Sequence, residues 1–159
     1  MSRAAIGIGS NIGDRKRHVR SAAERLGELP RTRLLALSSL YETEPVDVID
    51  QPAFINAAAL LETELPPEEF LAALQAIERE FGRTRGLPKG PRTLDLDILL
   101  YEDIEMDTPA LTLPHPRMHL RRFVLVPLAE IAPGMRHPVS GRDVLDLLNR
   151  CQDAASVVL

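Results

Sequence analysis

Residues 90–101 read GPRTLDLDILLY, an apolar run that interrupts itself with two aspartates one residue apart. Successive side chains of a strand point to opposite faces, so residues two apart share a face. On that reading Leu94, Leu96, Ile98 and Leu100 make one continuous apolar face for the core. Asp95 and Asp97 lie on the other, followed by Leu99 and Tyr101. The two aspartate Cα atoms then stand roughly 6.6 Å apart, twice the strand rise. At an effective dielectric of about 20, two full charges at that spacing repel by about 2.5 kcal/mol, and water lowers this further. A solvated pair is therefore one reading. A site for a hard cation such as Mg²⁺ is the other, because such ions take carboxylate oxygens and complete their shell with water and substrate phosphates. Two carboxylates can hold one ion, or a pair of ions that clamps a transferring phosphoryl group.

The flanks favour the second reading. Arg92 immediately precedes the strand, and residues 82–91 (GRTRGLPKGP) bring Arg83, Arg85 and Lys89 beside it. Carboxylates for metal next to cations for phosphate are the parts of phosphoryl transfer. On the other side, residues 112–122 (TLPHPRMHLRR) place His115 near Arg117, Arg121 and Arg122. His115 and His119 lack an H-E-x-x-H frame or a second cysteine, so this segment reads as an anion-binding surface rather than a zinc site. There is no G-x-x-x-x-G-K-[ST] loop, and GIGSNIG misses the dinucleotide fingerprint by one residue. Gly7 and Gly9 read instead as points of close backbone packing at a strand end.

Working outward, residues 4–9 (AAIGIG) form a first strand, and Asp14 caps a helix over about residues 15–29 whose inner face is Val19, Ala22, Ala23 and Leu26. Residues 34–43 read as a second strand and residues 44–52, with two prolines, as a loop. Residues 54–63 suit a third strand, although their alanines also allow a helix. Pro67 opens a helix with Phe70, Leu74, Ile77 and Phe81 at helical spacing, and Gly82 ends it. Gln75 and Glu78, three apart, are neighbours away from that stripe, which by itself makes them solvent-facing. Residues 123–131 and 142–148 read as closing helices. Strand, helix, two strands, helix, strand is the βαββαβ order of a ferredoxin-like α+β fold: a mainly antiparallel sheet with helices packed on it in three layers, α/β/α.

A chain of 159 residues with 45% apolar and 26% charged residues suits one globular domain, residues 1–159. Its formal net charge of −4 argues against binding nucleic acid, while local clusters of arginine suit a small anionic ligand. No apolar run is long enough to cross a membrane. The first residues lack a secretory leader, and the lone Cys151 fits a reducing compartment, so a cytoplasmic monomer is expected.

GSN near the start, YETEPV with DQPAFINA, QAIEREFGRTR, GPRTLDLDILLY and LTLPHPRMHLRRF follow one another in an order and spacing that resemble the 6-hydroxymethyl-7,8-dihydropterin pyrophosphokinase family. The resemblance runs over residues 6–133. It implies a ferredoxin-like core and transfer of pyrophosphate from ATP to the hydroxymethyl group of the pterin, with release of AMP, a step of tetrahydrofolate biosynthesis. It implies that Asp95 and Asp97 bind two Mg²⁺ ions and that, with Arg83 and Arg92, they form the catalytic group. ATP then falls to Gln75, Glu78, Arg83, Arg85, Arg92, Ile98, Thr112, His115 and Arg121. The pterin falls to Thr43, Glu44, Val46, Phe54, Asn56, Asp95 and Phe123. The chemistry agrees: two phenylalanines can sandwich a flat ring, and Asn56 offers both a donor and an acceptor to an amide edge. Lys89 and Asp47 depart from residues common in the family, a tryptophan and a glycine, and the two loops carrying them are expected to close over ATP. Two other classes fit the bare D-x-D on this topology: a two-metal nucleotidyltransferase-like enzyme, and a non-catalytic small-molecule-binding module.

Overall fold

The computed structural model describes residues 1–44, 52–82 and 93–159. Strand β1 (Ser2–Ser10) is followed by helix α1 (Arg15–Gly27), β2 (Thr32–Leu37), β3 (Tyr41–Thr43), β4 (Phe54–Thr63), α2 (Pro67–Glu80) and β5 (Asp95–Tyr101). A small ribbon of β6 (Met106–Asp107) and β7 (Thr112–Leu113) comes next. A 3₁₀ turn (Met118–Leu120), α3 (Arg122–Ile131), α4 (Val144–Arg150) and β8 (Val157–Val158) complete the order. The main sheet runs β5-β1-β4-β3-β8, with β2 also paired to β4, and the strand pairs are antiparallel.

The expected α+β architecture is present. Alternation along β1 sends Ala4, Ile6 and Ile8 to the face covered by α1 and α2, where they meet Leu26, Phe70, Leu74 and Ile77. Ala5, Ala58 and Leu60 face the opposite way, against Leu125 and Leu128 of α3 and Val144 and Leu147 of α4. Asp14 caps α1, its carboxylate accepting the Arg17 backbone N–H at 3.3 Å. Gly82, with φ of +76°, follows the end of α2 in the left-handed conformation expected of a glycine there.

Some boundaries differ from the sequence reading. The helix from residue 15 ends at Gly27, and the last helix covers Val144–Arg150 rather than 142–148. Residues 54–63 are a strand and not a helix: β4 is paired on both sides, so the sheet overrides the helical preference of alanine. The strand expected over 34–43 is broken between Leu37 and Tyr41. At the break Ser38 stays joined to β4 through its own groups, donating its N–H to Ala58 and accepting the Ala58 N–H at its hydroxyl, each at 2.8 Å.

The largest difference lies in the aspartate strand. Ala5 pairs with Leu100 but Ile6 with Ile98, so Leu99 is an extra residue, a β-bulge. Leu94, Leu96 and Ile98 do share the core face, as alternation requires, but Leu100 joins Leu99 on the α3 side and Tyr101 returns to the α2 side. There Tyr101 donates its hydroxyl to the Leu65 carbonyl and meets Phe70 edge-on at 6.3 Å between ring centroids.

Helix α3 is tied to the sheet by a carboxylate. Glu130 accepts from the Tyr41 hydroxyl at 2.5 Å and from the Ser39 N–H and hydroxyl. Burial opposes ionisation of Glu130, but these donors outweigh it and hold the carboxyl below its ordinary value. Burial first, then the neighbouring carboxylate, pushes the Tyr41 phenol up to about 12. An unfolded tyrosine ionises near pH 10. The folded chain therefore holds an extra proton between about pH 10 and 12, and stability falls as pH rises through that window. The thermal midpoint should drop there, with a late phenolate titration of Tyr41. In Glu130→Gln that drop should shrink from a lower starting midpoint; an equally steep alkaline drop in the variant would show that the pair is not its source.

Candidate active site

Register across the sheet brings the site together. Asp95 lies opposite Gly9, Gly9 opposite Asn56, and Asn56 opposite Tyr41. One step along, Asp97 lies opposite Gly7 and Gly7 opposite Ala58. Directly opposed residues share a face, so the aspartates, Asn56 and Phe54 stand on one surface of the sheet, the surface that carries α3 farther along. Between the carboxylates and the amide runs a floor of residues with little or no side chain. A Cβ at Gly9 would meet Asn56 Oδ1 at 2.7 Å and Phe54 Cδ2 at 3.5 Å. The sequence reading of close packing at Gly9 holds, and its neighbour is the Asn56 amide.

Asn56 is buried and donates through Nδ2 to Thr43 Oγ1 at 2.6 Å, which orients its amide. Thr43 is itself buried at the end of β3, and Glu44 follows it, accepting the Ser156 N–H at 3.0 Å. Phe54 and Phe123 are each half-buried, Phe123 with the Arg121 guanidinium 5.6 Å from its ring centroid. Asn11, next to the strand end, donates to the Pro52 carbonyl at 3.1 Å, and Arg15 to the Ala53 carbonyl at 2.6 Å. Sequence reasoning assigned neither a role; the G-S-N turn leaving β1 was the available signal.

On the other side of the aspartates, Glu78 corrects the solvent-facing reading of its helix position. It is 4% exposed, and its carboxylate accepts the Leu96 N–H at 2.9 Å. Strand β5 is the sheet edge, where an unpaired N–H needs a partner, and α2 supplies one between the two aspartates. Ile98, two residues on, turns its peptide to the same edge by alternation, while its side chain stays in the core. Gln75 is half-buried one helical turn before Glu78.

His115 donates its N–H to the Leu99 carbonyl at 2.9 Å, so the segment after the cis Leu113–Pro114 bond continues along β5. Its Nδ1 accepts the Arg117 N–H at 3.2 Å, which leaves the ring proton on Nε2. Burial, then the charge of Arg121, pushes His115 down to about 4, Asp95 opposing and Arg117 adding to the effect. His115 is thus a neutral donor between a carboxylate and two guanidinium groups. Thr112 lies on β7, its hydroxyl 3.5 Å from Asp107 Oδ1. Among the described residues no group of three or more His, Cys, Asp or Glu is arranged to hold a metal. Val46, Asp47, Arg83, Arg85, Lys89 and Arg92 lie outside the described residues.

Residues 5–133 match the family model for 7,8-dihydro-6-hydroxymethylpterin-pyrophosphokinase (HPPK). The chain is 46% identical to the 2-amino-4-hydroxy-6-hydroxymethyldihydropteridine pyrophosphokinase of Pseudomonas aeruginosa, over 95% of this chain and 93% of the relative. It is 49% identical to the Bacillus subtilis protein of the same name, over 80% and 77% of the two chains. It is also 41% identical to the folic acid synthesis protein fol1 of Schizosaccharomyces pombe, of which it spans 20%. Among solved structures, a Plasmodium falciparum HPPK-DHPS superposes with a TM-score of 0.73 at 15% identity, over 94% of this chain and 45% of the other, and is a likeness of fold.

Proposed function

This chain belongs to the 7,8-dihydro-6-hydroxymethylpterin-pyrophosphokinase family, and from that premise we propose how its residues perform the reaction. The chain transfers pyrophosphate from ATP to the hydroxymethyl group of 6-hydroxymethyl-7,8-dihydropterin in folate biosynthesis, releasing AMP. It acts as a monomer of one domain, residues 1–159, in the cytoplasm. No helix of the described residues is long and apolar enough to cross a membrane.

The observation that carries the assignment is the cross-strand row joining Asp95, Gly9 and Asn56. It sets a carboxylate and an amide on one surface with no side chain between them. Asn56, oriented by Thr43, reads the amide edge of the pterin, and Phe54 and Phe123 hold its faces. Glu44 and Val46 complete that pocket, and Asp95 borders it. ATP lies toward the β5 edge, its base against the Ile98 peptide and the helix bearing Gln75 and Glu78. Thr112, His115 and Arg121, with Arg83, Arg85 and Arg92, take its phosphates; the neutral His115 offers them Nε2–H without a charge of its own.

The donor set suits magnesium. Two carboxylates on one face, with no third His, Cys, Asp or Glu grouped with them among the described residues, match an ion that keeps water and substrate phosphate oxygens in its shell. Two Mg²⁺ ions held by Asp95 and Asp97 would neutralise phosphate charge and acidify the pterin hydroxyl. The remaining work belongs to the chain: the pterin pocket aims the hydroxymethyl oxygen at the β-phosphorus, and the arginines stabilise charge on the departing AMP.

Mixing the protein with Mg²⁺, ATP and 6-hydroxymethyl-7,8-dihydropterin should yield AMP and pterin diphosphate in equal amounts. Formation of ADP instead, or AMP formation independent of pterin, would contradict the reading.

A further inference from the structure

The family match ends at residue 133, yet residues beyond it are bonded to both walls of the candidate pocket. Helix α3, which carries Phe123, begins without a cap of its own. Its N-cap residue is Arg121, no side chain of that residue caps it, and its first turn has no acidic residue. The first N–H groups of a helix need acceptors, and an anion there is favoured by the helix dipole. Asp153 supplies one from a distant part of the sequence: its Oδ2 accepts the Arg122 N–H at 3.0 Å, while Oδ1 accepts the Ala155 N–H at 2.9 Å.

The same segment then crosses to the other wall of the pocket. Val157 and Val158 pair with Thr43 and Glu42 as the strand next to β3, and the Ser156 N–H donates to Glu44 Oε1. Six consecutive residues therefore join the start of α3 to the end of β3. These are the two places from which Phe123 on one side, and Thr43 with its partner Asn56 on the other, reach the proposed pterin site. One exposed hydrogen bond would fix little. Two strand pairs, a helix cap and a bond to Glu44 acting together determine the separation of the walls.

We propose that residues 153–158 are a strap that positions the pterin pocket, Asp153 acting through Arg122 and Ser156 through Glu44. The inference rests on the pterin assignment made above. A strap of this kind governs pterin binding more than ATP binding: of the described residues assigned to the nucleotide, Arg121 alone adjoins it, next to Arg122, while α2, the β5 edge and His115 take no part in these hydrogen bonds or strand pairs.

Two full-length variants test it by different routes. Asp153→Ala removes the cap, and Ser156→Pro removes the N–H given to Glu44. Each should raise the KM for pterin by about tenfold, with KM for ATP and kcat at saturating pterin changed less than about twofold. Asp153→Asn keeps an acceptor and should stay close to the parent. Amide exchange in the ligand-free protein should quicken at Thr43 and Glu44 and at Arg122 and Phe123 in the first two variants, and not in the third. Unchanged exchange at both walls overturns the strap, whatever the activity, and so does a parallel rise in both KM values. If instead the parent chain forms no AMP while exchange responds as stated, the strap stands and the pterin assignment falls.

Discussion

Asp97→Asn is expected to lower kcat on the order of a thousandfold while leaving the protein folded. The substitution preserves size and one acceptor oxygen but removes the negative charge, and a neutral amide is a poor ligand for a hard divalent cation. Asp97 faces Gly7 on the sheet, one step from Asp95, so no other carboxylate on that face of β5 can take its place. The exchange keeps the size and shape of the side chain, so the fold should be retained. The Mg²⁺ concentration needed for half-maximal rate should rise as well. Steady-state rates across a Mg²⁺ series, with thermal unfolding as the control, measure both effects. A variant that keeps more than about a tenth of the parent kcat at every Mg²⁺ concentration would remove Asp97 from the catalytic group.

The second large effect is expected from a single methyl group. Gly9→Ala places its Cβ 2.7 Å from Asn56 Oδ1, well inside contact distance. A flexible side chain could retreat at little cost, but Asn56 is short, buried and held by its bond to Thr43. Relief therefore breaks that bond or turns the amide away from the pocket. Misplacing a substrate-positioning group by about an ångström costs up to about a hundredfold. The KM for pterin should rise between about ten- and a hundredfold, with the KM for ATP nearly unchanged. Gly7→Ala is the internal comparison: its Cβ would lie 3.6 Å from the Leu99 methyl groups, an ordinary contact, and it should be mild. Equal effects of the two substitutions on pterin binding would show that Asn56 is not the reason.

These two predictions draw on different levels of the molecule. The aspartate pair is legible locally, since alternation with Leu94, Leu96 and Ile98 puts both carboxylates on one face, and the structure agrees. The role of Gly9 is not, because its neighbour Asn56 is brought to it by pairing of β1 with β4. Glu78 shows the same limit. Helical periodicity turns it away from the apolar stripe, but the edge strand β5 lies over that position and its Leu96 N–H requires an acceptor.

By itself the sequence determined what depends on neighbours along the chain: the strand and helix periods, the Asp14 cap, the Gly82 stop, the βαββαβ order and the shared face of Asp95 and Asp97. Only the tertiary structure decided the bulge at Leu99, which sends Leu100 and Tyr101 to faces opposite those that strict alternation assigns. It also decided the burial of Glu78, the fit of Asn56 over Gly9, and the strap from Asp153 to Val158. The reason is physical. Periodicity is written in a few successive residues. Register, close approach and the satisfaction of an edge N–H depend on which distant segment the sheet brings alongside.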